Sequence, residues 1–143
     1  YKRNDMAWIV KSNKLLNKIL LGIGVMEFLM VIASPLFYDI WIGKEVTVPL
    51  YMTVMMGIYM FVTVSSLRFS FILNGIGVLR LQIYMTVSAS LCFIPLTIVV
   101  VKVTDSIIWF MIALCAVNMP GLIVNIIQYK KIINNKAQGI WMK

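Results

Sequence analysis

The hydrophobic positions of the chain fall into four long runs, separated by short polar or turn-forming segments. We place these runs at 19–38, 48–67, 81–101 and 107–127. At 1.5 Å per residue, each run is long enough to cross a hydrocarbon layer about 30 Å thick. The pattern therefore predicts an all-α integral membrane protein with four transmembrane helices and short loops. The Asn74-Gly75-Ile76-Gly77 segment predicts a tight turn after the second helix.

Both ends of the chain mix basic and apolar residues. In residues 1–18, Lys11, Lys14 and Lys18 are interleaved with isoleucine, valine and leucine, and residues 128–143 have the same character. Such segments are typical of helices that lie at the membrane interface. We expect a cytoplasmic amphipathic segment at 1–18, a four-helix membrane region at 19–127 and a cytoplasmic basic tail at 128–143.

The net charge of +8 is best explained by membrane orientation. Eleven of the 13 Lys and Arg residues lie in the N-terminal segment, around the second connection, or in the tail. Only Lys44 and Lys102 lie in the other two connections. By the positive-inside rule, both termini face the cytoplasm of a multi-pass protein in the bacterial inner membrane. The lipid bilayer is then the partner of the basic ends, and the charge does not indicate nucleic acid.

The composition argues against several kinds of catalytic and metal-binding site. With 62% hydrophobic residues, 13% charged residues and a mean hydropathy of +0.94, the chain is far from a soluble globule. It has no histidine, and Cys92 and Cys115 both lie inside apolar runs. A histidine-based catalytic site, a metal centre and a disulfide framework are therefore not expected. We expect no cofactor and no enzymatic activity.

Polar residues recur at helical spacing inside the runs. Glu27 lies about 12 Å along the first run, too deep for its short side chain to reach the interface easily. Arg68 lies at the cytoplasmic end of the second run, where a long side chain can reach the head groups. The uncharged members are Gln82, Thr86, Asn118 and Asn125. These residues favour either a hydrated pathway or hydrogen-bonded helix packing.

Two prolines fall within the last two runs. Pro95 and Pro120 each remove a backbone hydrogen bond and predict a kink in the helix. A kink can act as a hinge during transport or can simply be a static bend.

Three segments resemble the C-terminal part of bacterial Wzx-type polysaccharide flippases. These segments are 34–45, 71–82 and 129–141, which include Ser34-Pro35-Leu36-Phe37-Tyr38-Asp39, Phe71-Ile72-Leu73-Asn74-Gly75 and Gln138-Gly139-Ile140-Trp141. The family consists of O-antigen translocases within the multidrug/oligosaccharidyl-lipid/polysaccharide exporter superfamily. The resemblance implies a twelve-helix protein in two lobes, of which this chain is the last four helices. The N-terminal helices would then be missing.

The resemblance also implies a substrate and residue roles. Wzx-type flippases move undecaprenyl-pyrophosphate-linked sugar repeats across the inner membrane for surface polysaccharide assembly. Arg68 and Arg80 would accept the pyrophosphate, and Glu27 would exchange a proton or pair with a cation. The sugar hydroxyls would be bound by Gln82, Thr86, Asn118 and Asn125.

Two other functions are compatible with the same pattern. The four helices could form a small cation or proton antiporter that works as a dimer through Glu27. They could also form a scaffold subunit that transports nothing and uses its polar residues only to pack helices.

Overall fold

We describe the protein from a computed structural model, which covers residues 6–43, 47–104 and 106–142. Lys44, which contributes to the predicted orientation, and the first five residues of the predicted N-terminal segment lie outside these ranges. The described residues contain helices and connections, without a β-strand.

The fold consists of four α-helices and a short 3₁₀ turn. The α-helices are α1 (Met6–Trp41), α2 (Leu50–Ile76), α3 (Arg80–Val103) and α4 (Ile107–Ile133), and the 3₁₀ turn is Gly139–Met142. All four α-helices are long and apolar enough to cross a membrane. This confirms the predicted all-helical fold and the predicted number of candidate spans.

The first helix is longer than the predicted span. It contains 36 residues, so it measures about 54 Å, well beyond a hydrocarbon layer of about 30 Å. The basic segment and the first apolar run thus form one continuous helix, because lysine is a good helix former and Lys11, Lys14 and Lys18 do not interrupt it. The predicted boundary at residue 18 therefore marks where α1 is expected to enter the membrane, and the helix itself continues across this boundary.

The second helix ends in a defined backbone motif. Gly77 has a φ of +86°, and its N–H donates to the carbonyl of Asn74. The N–H of Val78 donates to the carbonyl of Leu73, and the two side chains belong to one buried cluster with Ile132. This Schellman arrangement stops α2 and turns the chain directly into α3.

The helices pack in the spatial order α1, α2, α4 and α3. One buried cluster lies where the start of α1 meets the C-terminal parts of α2 and α4, and it contains Ile9, Phe69 and Tyr129. The rings of Phe69 and Tyr129 lie 5.5 Å apart between centroids. This cluster holds the predicted cytoplasmic end of the bundle together.

Pro95 and Pro120 lie inside α3 and α4, and both helices continue through them. Their predicted role as hinges stays a prediction.

Candidate functional site

A polar cavity lies between α2, α3 and α4. Its volume is about 260 Å³, and eight uncharged polar side chains line it. These are Thr63, Ser66, Ser70, Gln82, Thr86, Ser90, Asn118 and Asn125.

Helical periodicity brings these residues to one place. On α2, Thr63, Ser66 and Ser70 are spaced by three and four residues, so they share one face of the helix. On α4, Asn118 and Asn125 are separated by two turns, with Gly121 between them also lining the cavity. α2 and α4 therefore each contribute one polar face to the cavity.

Hydrogen bonds connect the helices at one end of the cavity. Asn125 is buried, and its Nδ2 donates to Oγ of Ser70 at 3.1 Å and to Oγ of Ser66 at 3.4 Å. Nε2 of Gln82 lies 3.5 Å from the backbone oxygen of Ser70. Ser70 thus joins α2 to both α3 and α4.

Asn118 and Ser90 instead form hydrogen bonds within their own helices. Nδ2 of Asn118 donates to the carbonyl of Leu114 at 2.8 Å, and Oγ of Ser90 donates to the carbonyl of Thr86 at 3.0 Å. Since these bonds do not cross between helices, Asn118 and Ser90 border the cavity without closing it.

The structure gathers the four uncharged residues that the sequence identified, Gln82, Thr86, Asn118 and Asn125. The other four polar residues are Ser90, which follows Gln82 and Thr86 at the same four-residue spacing on α3, and Thr63, Ser66 and Ser70, which the sequence-based prediction missed. Their spacing of three and four residues was a usable signal. The prediction for α2 rested instead on the other face, which carries Gly57 and Arg68, because that face contains a charge.

Glu27 lies away from this cavity, where α1 packs against α2. A Cβ placed on Gly57 would lie 3.2 Å from Cγ2 of Val31 and 3.9 Å from Oε1 of Glu27, so the helices approach closely at this level. Glu27 lines a largely apolar groove of about 870 Å³ between α1 and α2. Farther along this groove, the hydroxyl groups of Tyr38 and Thr53 are 3.3 Å apart.

The two arginine candidates are also outside the polar cavity. Arg68 projects toward α1, where its Nη1 donates a hydrogen bond to Oδ1 of Asn17. Its guanidinium carbon lies 4.2 Å from the centroid of the Phe69 ring. Arg80 is exposed at the first residue of α3, two residues before Gln82. The structure therefore separates the charged candidates from the uncharged ones.

Among the described residues, no three His, Cys, Asp or Glu side chains come together as metal ligands. The polar cavity offers amide and hydroxyl groups, which both donate and accept hydrogen bonds. Its chemistry suits water or a neutral polar ligand.

No protein-family model, curated protein or solved structure matches the chain.

Proposed function

We propose that the chain is the C-terminal part of a lipid-linked oligosaccharide flippase of the Wzx type. In this proposal it occupies the bacterial inner membrane with both termini in the cytoplasm. It contributes to moving undecaprenyl-pyrophosphate-linked sugar repeats for surface polysaccharide (O-antigen) assembly. The observation that carries the proposal is the uncharged polar cavity between three helices that are each apolar enough to cross a membrane.

The side chains of the cavity match the chemistry of a sugar. Sugar hydroxyl groups donate and accept hydrogen bonds, as do the amides of Gln82, Asn118 and Asn125. Polar groups inside a membrane are costly unless they are hydrogen-bonded, so a dedicated polar wall is expected along the path of a hydrophilic substrate.

The size of the cavity limits what it can hold. A volume of about 260 Å³ equals that of roughly nine water molecules at about 30 Å³ each. This space is too small for an oligosaccharide repeat. Under the proposal, the cavity is one wall of a larger pathway, and the N-terminal helices of the flippase supply the other walls.

The proposal assigns the pyrophosphate to Arg80. The first sugar of the substrate is joined directly to the pyrophosphate, and Arg80 is exposed at the same end of α3 as Gln82 but on the opposite side of the helix, from which its long side chain can reach the head groups. Guanidinium groups bind phosphate oxygens well. Arg68 faces α1, so it is less suited to this contact than the family resemblance implied.

Polysaccharide export tests the proposal. We would express the complete reading frame in a bacterium that lacks its own O-antigen flippase, and quantify surface polysaccharide at equal protein abundance. We expect Asn118→Leu to reduce export, because it removes an amide from the cavity without breaking a bond between helices. Ser88→Leu is the matched control, since Ser88 is exposed on α3 and does not line the cavity. Equal export by both variants would overturn the proposal.

A small cation or proton antiporter is the second candidate. It is favoured by one observation, the carboxylate of Glu27 at a helix contact with no ion pair to any described residue. Proton-coupled cation uptake into everted membrane vesicles distinguishes the two functions. An antiporter would lose uptake in Glu27→Gln and keep it in Asn118→Leu.

A further inference from the structure

An apolar groove between α1 and α2 has a single cation in its wall. The groove has a volume of about 240 Å³ and is lined by Leu16, Leu20 and Ile23 of α1 and by Leu67 and Phe71 of α2. The cation is Arg68.

The groove continues past Arg68 along the two helices. Ile19, Ile23 and Val64 line both this groove and the larger groove of about 870 Å³. Ile19 and Ile23 are 50% and 40% exposed, so their side chains are open to a ligand that lies along α1. A hydrocarbon chain that enters beside Arg68 therefore has an apolar path toward the middle of the membrane.

Arg68 has only neutral partners in the described part of the protein. It donates to the amide oxygen of Asn17 and lies over the ring of Phe69. Its Nε is buried and has no hydrogen-bond partner, and no described carboxylate acts on the guanidinium. A cation within a membrane helix is costly unless an anion accompanies it. The geometry therefore calls for an anionic ligand at Arg68.

We propose that this groove binds an anionic phospholipid. Its phosphate accepts hydrogen bonds from Arg68, and one acyl chain lies against Ile19 and Ile23. Guanidinium groups suit phosphate, and basic pockets between membrane helices on the cytoplasmic side bind anionic head groups. The site does not depend on the proposed transport function, because the polar cavity and Arg80 take no part in it.

Native mass spectrometry of the protein from its complete reading frame tests the site. Phosphatidylglycerol is titrated onto the delipidated protein, with phosphatidylcholine as the zwitterionic reference. We expect preferential binding of phosphatidylglycerol, weakened about five- to tenfold by Arg68→Gln and largely restored by Arg68→Lys. Lys130→Gln is the matched control, since Lys130 is exposed on α4 outside the groove, and it should bind as the wild-type protein does.

A second variant tests the apolar part of the site. Ile23→Trp fills the groove and keeps Arg68, so it should also weaken binding of phosphatidylglycerol. Inorganic phosphate at millimolar concentration should not displace the lipid, because it has no chain to occupy the groove. Equal losses in Arg68→Gln and Lys130→Gln would overturn the site. Displacement of the lipid by inorganic phosphate would also overturn the site. The same holds if the lipid-linked oligosaccharide or a further helix occupies the groove in place of phosphatidylglycerol.

Discussion

Asn125 on α4 donates a hydrogen bond to Ser70 on α2, with 3.1 Å between Nδ2 and Oγ. The same amide lies 3.4 Å from Oγ of Ser66. Asn125 is only 5% exposed, so water cannot readily replace these partners. The residue therefore has two roles, lining the polar cavity and joining the helices beside it.

This relationship gives a prediction about stability. Asn125→Leu should lower the free energy of unfolding by about 1 kcal/mol, because hydrogen bonds between membrane helices contribute about 0.6–2 kcal/mol. Thermal or denaturant unfolding in detergent measures the effect. Ser70→Ala should cost less after Asn125→Leu than in the wild-type protein, since the two residues share the bond. Additive losses would mean that the two side chains do not interact.

The sequence predicted the four candidate membrane helices but could not show which polar face of α2 lines the cavity. Four apolar runs were sufficient to predict the fold, because length and hydropathy determine membrane helices. α2 has one polar face with Ser66 and Ser70 and another with Arg68. Which face meets which helix depends on the packing of α1 and α4. Spacing within α2 identifies the two polar faces but does not say which helix packs against each face.

The predicted start of the last helix at residue 107 agrees with the structure, but the sequence did not predict how far α1 extends before Ile19. Lysines at 11, 14 and 18 marked the expected end of the membrane region, yet lysine is a good helix former and does not stop a helix. The chain therefore continues as helix through the charged segment, and Ile9 is buried against Phe69 and Tyr129. Charge indicates depth in the membrane, whereas backbone breaks determine where helices end.

A second prediction concerns the close approach of α1 and α2. Gly57→Leu should destabilise the protein by about 1–3 kcal/mol, because even a Cβ at this position would lie 3.2 Å from the stiff side chain of Val31. Thermal unfolding in detergent gives the measurement. Gly22→Leu on α1 is the control, since nothing lies within 4 Å of a Cβ there. If the two variants unfold alike, the helices are farther apart than the structure places them.

A third prediction concerns the C-terminal segment. Trp141 is held to α4 at two points: Nζ of Lys131 lies 3.7 Å from the centre of its ring, and Nε2 of Gln128 donates to its backbone oxygen at 3.3 Å. Trp141→Ala should increase tryptic cleavage after the exposed Lys136 about two- to fivefold, because a cation–π contact between partly exposed side chains contributes about 0.5–1 kcal/mol. Trp109→Ala, at the other end of the bundle, should leave cleavage unchanged. Unchanged cleavage in Trp141→Ala would show that the ring does not hold the segment.

A fourth prediction concerns orientation. After Cys92 and Cys115 are replaced by serine, Gly75→Cys should react with a membrane-impermeant thiol reagent only from the cytoplasmic side. Thr104→Cys should react only from the opposite side, because the positive-inside rule places the two connections on different faces. Labelling in whole cells and in everted vesicles distinguishes them. Reaction of both positions from the same side would rule out α3 as a span.

The last prediction concerns Glu27, which the structure places at the contact of α1 with Gly57. If its charge or its proton takes part in transport, Glu27→Gln should reduce polysaccharide export by roughly tenfold or more. Placing a carboxylate at this depth costs about 2.5–3.5 kcal/mol of membrane insertion free energy. A neutral residue could pack against Gly57 without that cost. Asp39→Asn is the matched control, since it removes one carboxylate from an exposed position near the end of the same helix and should leave export intact. Full export by Glu27→Gln at normal protein abundance would show that Glu27 packs α1 against α2 and takes no part in transport. The polar cavity would then be the sole candidate pathway in the described part of the chain.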